Sequence, residues 1–134
     1  MLTVIIFLAA CFYAVSVVVF QSVVLFIFLK KTPSIADEVD LERFKKIARL
    51  GMYLTIISIP AMVVIIGTGL MIVIRHGFMG LLAVVFINII MFVFARLGKS
   101  LELRARDLPA ESEELAAAHK SVSEAWVKKV FPNF

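Results

Sequence analysis

Three stretches of the chain carry no charged residue: Leu2 to Leu29, Leu50 to Ile74, and Gly77 to Ala95. A helix needs about 20 apolar residues to cross the hydrocarbon core of a bilayer, and each stretch meets or nearly meets that length. Inside such a core every backbone polar group must be satisfied within the segment, which leaves the helix as the conformation open to these runs. The expected fold class is therefore an all-α integral membrane protein with three transmembrane helices and a cytoplasmic amphipathic C-terminal helix. Residues 1–29 form the first span, 30–49 a cytoplasmic loop with a short helix, and 50–75 the second span. Residues 76–96 hold a short outer turn and the third span, and 97–134 a cytoplasmic tail. With 62% hydrophobic residues in 134, a soluble domain of this size could not hide the apolar surface.

The distribution of charge sets the orientation. No basic residue precedes the first run, and only Arg75 separates the second from the third. Lys30, Lys31, Arg43, Lys45, Lys46 and Arg49 lie between the first two, and the remaining Lys and Arg follow the third. Basic residues stay on the cytoplasmic side, so the N-terminus is expected outside and the C-terminus in the cytoplasm, in the inner membrane of a bacterium. The net charge of +4 belongs to these membrane edges and does not point to nucleic acid. Leu8-Ala9-Ala10-Cys11 has the outline of a lipoprotein cleavage site. The missing basic start and the unbroken apolar run beyond Cys11 favour a spanning helix instead.

Within the spans, polar and small residues stand out. Pro60 removes a backbone hydrogen bond and predicts a kink in the second span near Ile56. Gly67 and Gly69, around Thr68, are small enough to let another helix approach, and with Pro60 they are the expected packing positions. Gln21, Ser58 and Asn88 stand eight or nine residues from the nearest basic residue at the cytoplasmic edge, which is about 12–14 Å of helix. Equal depth predicts an intramembrane polar layer in which the three meet, with Asn88 facing protein. Its ordinary role is to hold helices together; contact with a quinone or a lipid headgroup is the functional alternative.

No Asp, Glu, Lys, Arg or His lies inside a span, which argues against pumps, ion transporters and voltage sensors. His76, beside Arg75, is the one position for an axial ligand to haem or chlorophyll, although a solvated loop histidine is the ordinary reading. A metal site and a catalytic constellation are not expected. No cofactor of the chain's own is expected; lipid contact is, and haem, chlorophyll or quinone only together with partner subunits.

The tail is expected to turn at Pro109, with Asp107 or Leu108 as cap and Glu111, Glu113 and Glu114 in the first turn of a helix ending before Pro132. Leu115, Val122 and Trp126 recur at helical spacing on one apolar face. With Phe131 and Phe134 they are the expected partner-binding anchors, against another protein's helix or the chain's own first-loop helix. These features make a non-catalytic accessory or assembly subunit of a larger membrane complex the leading expectation, with respiratory or photosynthetic electron-transfer complexes as plausible hosts. A homo-oligomeric pore or holin-like protein, or a cofactor-holding membrane anchor using His76, are the alternatives.

Overall fold

A computed structural model describes residues 1–132, and among them the chain is helical with no strand. Helix α1 spans Leu2–Lys31, α2 spans Glu38–Arg106, and α3 spans Glu113–Lys128. Helix α1 ends where Pro33 forces the preceding residue out of the helical region, and Thr32 sits at φ −129°, ψ 84°. Asp37 restarts the chain as N-cap of α2, its carboxylate accepting from the Asp40 N–H at 2.8 Å. Glu38 and Asp40 then complement the positive end of the helix dipole.

The 69 residues of α2 are not one rod. Gly77, at φ 54° and ψ −133°, is the single non-helical position within it. That backbone region is closed to side chains with a Cβ, so the break falls on a glycine. Beyond it the second limb (78–106) returns beside the first (38–76). A Cβ on Gly69 would lie 3.6 Å from Val84 and 3.4 Å from Phe7 of α1, and one on Gly80 would collide with the Ile72 carbonyl. Pro60 stands within helical backbone in the first limb. Three apolar rods thus lie side by side, α1 and the two limbs of α2; α1 and α2 are the two helices long and apolar enough to cross a membrane.

Two cores hold the assembly. The smaller joins Phe7, Cys11 and Ala14 of α1 to Ile65 and Ile72, with Val84, Ile87 and Met91 of the returning limb against them. The larger lies at the opposite end, where Leu25 and Phe28 of α1 meet Leu41, Phe44, Ala48 and Met52 of α2 and Val122 and Trp126 of α3. Phe44 is its hub: fully buried, its ring centroid lies 4.4 Å from His119, 5.9 Å from Trp126 and 6.2 Å from Phe28. Two loops are sutured above this core. Ile35 N–H donates to the Pro109 carbonyl at 2.8 Å, and Glu111 N–H donates back to the Ile35 carbonyl at 3.1 Å. The long helices elsewhere leave their apolar sides open. Of the most apolar stretch, only 17% is buried in α1 and 6% in α2.

The tail helix starts later than Pro109 predicts. Ser112 is its N-cap, accepting from the Leu115 N–H at 3.2 Å, and only Glu113 and Glu114 occupy the first turn. Pro109 and Glu111 are instead held in the loop bridge, so neither Asp107 nor Leu108 caps α3. Truncating Phe44 to Ala should cost about 3–5 kcal/mol and release α3. The fluorescence of Trp126, the chain's single tryptophan, and protease cleavage within 107–112 would report the loss. Ala in place of Gly77 should cost about 1–3 kcal/mol in thermal unfolding, because it forces a Cβ into the glycine region.

Candidate functional site

A lateral groove of about 960 Å³ lies between α1 and both limbs of α2. Gln21, Ser58 and Asn88 all line it, among mainly aliphatic neighbours such as Val18, Met62, Val63, Met91 and Phe92. They share the groove but do not form a layer. A Cβ on Gly98 would stand 3.1 Å from the Ser22 hydroxyl and 3.3 Å from Val18, and one on Gly51 would stand 2.8 Å from the Gln21 nitrogen, so both glycines lie beside the 18–22 turn of α1. Ser58 stands seven residues above Gly51, about 10 Å, and Asn88 ten residues above Gly98, about 15 Å. The register explains the stagger. The Gly77 turn sets Gly69 against Val84, which brings Ser58 opposite Ala95 and Asn88 opposite Ile65. Measuring depth from Arg49 and Arg96 misaligns the limbs, because the second limb continues helical to Arg106.

Each polar group is satisfied locally or not at all. The Ser58 hydroxyl donates to the Leu54 carbonyl at 2.7 Å and Thr55 to Gly51 at 2.9 Å. One Asn88 amide N–H donates to the Val84 carbonyl at 2.8 Å, but the residue is exposed to the groove and does not face a protein core. The Gln21 amide has no hydrogen-bond partner among the described residues. Its nitrogen lies 2.8 Å, and the Trp126 ring 2.9 Å, from where a Cβ on Gly51 would stand. The tail helix therefore reaches the lower end of the groove, and Gly51 is the gap through which it does so. Of the predicted packing glycines, Gly69 makes a close contact and Gly67 faces open space. Pro60 is exposed. Gly51, Gly80 and Gly98 are the close-approach positions that sequence reasoning passed over.

His76 lies at the other end, exposed, beside a small cleft of about 260 Å³ lined by Phe7, Leu8, Ile72, Met79 and Gly80 among others. No second imidazole faces it across that cleft. Among the described residues no three His, Cys, Asp or Glu side chains come close enough to hold a metal.

The tail face needs correction. Val122 and Trp126 are buried in the chain's own larger core and Leu115 packs against its edge, so the three are consumed internally, on the first-loop helix. Phe131 remains exposed, and Phe134 lies outside the described residues. At the centre of this contact sits His119, which sequence reasoning left without a role. Its Nε2 stands 3.1 Å from the Ala105 carbonyl. That carbonyl belongs to the last turn of α2, and the residue four places on is Pro109, which has no N–H to offer. His119 supplies the missing donor. A proline four residues after the last apolar position was the signal that an outside donor is required.

No family model, no curated protein and no solved structure matches this chain. The His119 geometry sets a pH dependence. Burial holds its pKa below the ordinary 6.5, against smaller upward pulls from the Ala105 hydrogen bond and the Asp107 carboxylate. The folded state then binds fewer protons than the unfolded state below pH 6.5, so docking of α3 is fully stable above that value and weakens as pH falls through it. Trp126 emission followed from pH 8 to pH 5 should shift toward that of an exposed indole, and His119→Phe should flatten the pH response.

Proposed function

We propose that this chain is a non-catalytic accessory or assembly subunit of a larger membrane complex, spanning the bilayer three times with the two limbs of α2 as separate spans. The observation that carries the reading is the exposure of α1 and α2. Apolar side chains such as Phe12, Phe26, Val63, Ile66, Phe86 and Phe92 stand uncovered all around the rods. Water does not tolerate such a surface, and lipid or partner helices do. Sidedness follows from the same arrangement. Every Lys and Arg except Arg75 lies at the end where the first loop and the tail pack together, which supports a cytoplasmic location for that end. The N-terminal turn of α1 and the Gly77 turn share the opposite end, where Val4 and Leu8 meet His76 in the small cleft.

Support from an unsatisfied tail falls away, because α3 covers the chain's own core. Contact with partner subunits is assigned instead to the open sides of the three spans, and α3 locks the cytoplasmic end into a fixed shape that a partner can meet. The groove with its stagger of amides favours no solute path of the kind a homo-oligomeric pore needs, since Asn88 and Gln21 are separated by about 15 Å of mostly apolar wall.

A mild-detergent pull-down of the tagged native protein, read by mass spectrometry and an absorption spectrum, tests the reading. A stoichiometric set of larger membrane subunits is expected, and their identity names the host. Recovery of the chain alone as a homo-oligomer that makes liposomes leaky would replace the accessory role by a pore. Cysteine substitution at Arg75 and at Ser121 should be labelled from outside and from inside respectively.

A further inference from the structure

We infer that the lateral groove is a binding site for one anionic phospholipid of the cytoplasmic leaflet, with its phosphate at Arg96, its ester region at Gln21, and its acyl chains along Val18, Met62 and Met91 toward Asn88. The site rests on the membrane reading above and goes beyond it.

Dimensions exclude a spanning helix as occupant. The lining runs from Leu54 to Ile66 on one limb and from Val84 to Ala95 on the other, about 17–18 Å of helix against a hydrocarbon core about 30 Å thick. One leaflet's chain fits that length, whereas a partner helix would need a continuous face of nearly twice the height. The lining argues in the same direction. Helices that pack closely in lipid meet through small residues, and the groove wall is built chiefly of Val, Ile, Leu, Met and Phe. Its methionines are the flexible fillers that adapt to a mobile alkyl chain. A volume of about 960 Å³, mainly apolar with a few polar groups, is at the upper end of ordinary small-molecule sites.

The polar end identifies the headgroup. Arg96 stands against the lining, its guanidinium carbon 5.3 Å from the centroid of Phe92, a groove-lining ring, and next in sequence to the lining residue Ala95. No carboxylate among the described residues pairs with it; the nearby Lys99 is bonded to Glu102 at 2.7 Å. Arg96 stands two residues before Gly98, within about 3 Å of the Gln21 level. Among the described residues, a cation without a counter-ion thus stands against the wall at the same end of one apolar groove as an amide without a partner. An anionic phosphodiester followed by ester carbonyls satisfies both, since a guanidinium binds phosphate oxygens through paired N–H donors and an amide N–H donates to a carbonyl. A zwitterionic lipid would bring its own cation to the same place, and a free phosphate would leave the groove empty.

Native mass spectrometry of the full-length protein in mild detergent, titrated separately with phosphatidylglycerol and phosphatidylcholine, reads the site. One phosphatidylglycerol should be retained, about fivefold more tightly than phosphatidylcholine. Arg96→Gln should remove that preference, a loss corresponding to about 1 kcal/mol for one basic side chain at an anionic surface. Ala95→Phe, which adds a ring to an exposed wall position, should displace both lipids, with helical circular dichroism and Trp126 emission unchanged. Equal retention of the two lipids, or retention insensitive to Ala95→Phe, overturns the site. So does cross-linking of Val63→Cys (in a Cys11→Ser background) to a companion subunit, which would put protein in the groove. Release of the chain by alkaline carbonate would overturn the membrane reading itself, and a chain that resists carbonate yet binds no lipid overturns the site alone.

Discussion

A backbone at φ 54°, ψ −133° is open to glycine and to little else, and Gly77 is where α2 takes it. Everything above the larger core depends on that reversal. It fixes Gly69 against Val84 and, by counting along both limbs, sets the level of every other residue on the returning helix. The close contact of Gly80 with the Ile72 carbonyl shows how tight the reversal is: no side chain fits between the limbs there. A slip of one helical turn would carry Asn88 out of the groove and lift Gly98 off Ser22. The register is thus stated once, at the turn, and read out about 15 Å and 30 Å farther down.

The two ends of the rods are held by different physics. On the spanning arrangement proposed above, the contacts around Phe7, Cys11 and Ile72 are between apolar groups that lipid would solvate equally well, so packing and not dehydration would hold them. On the same arrangement the core around Phe44 would stand in water, where burying an aromatic or aliphatic side chain contributes about 1.5–3 kcal/mol. Nearly every element contributes to this second core: α1 through Leu25 and Phe28, the loop through Ile35, α2 through Phe44 and Ala105, and α3 through Trp126. The end that carries this core therefore has the packing of a small domain set on top of three rods. The Ile35–Ala110 bridge and the His119–Ala105 hydrogen bond give it direction as well as adhesion.

The apolar rods, the sidedness of charge and the helical entry into α2 were legible because each rests on a local rule: run length, charge count, and an Asp-rich start. What depends on register was not. Gln21, Ser58 and Asn88 are equidistant from charged residues in sequence, but a charge marks where the chain can meet water, not where the helices align. Gly67 has the size of a packing residue and faces open space, whereas Gly51 and Gly98 do the packing, near Arg49 and Arg96 at the expected edges of the second and third spans. The apolar face of α3 was visible in Leu115, Val122 and Trp126. Its destination was decided by an unmatched carbonyl at Ala105 and by a fully buried Phe44, neither of which a hydrophobic pattern displays.

Gly51 connects the soluble end to the groove. Because it lacks a side chain, the indole of Trp126 and the amide of Gln21 converge on the space a Cβ would fill. Gln21 lines the groove, so the tail helix meets the groove through that one side chain. Any change that loosens α3, such as protonation of His119, removes the indole from beside Gln21 and opens that end to water. Docking of the tail and the state of the groove are then two readings of one equilibrium, coupled through a contact only one residue wide. Whatever holds α3 in its docked position keeps the indole beside Gln21. By thermodynamic reciprocity, a ligand that fills the groove and favours that placement of Gln21 strengthens the docking of α3 to the same degree.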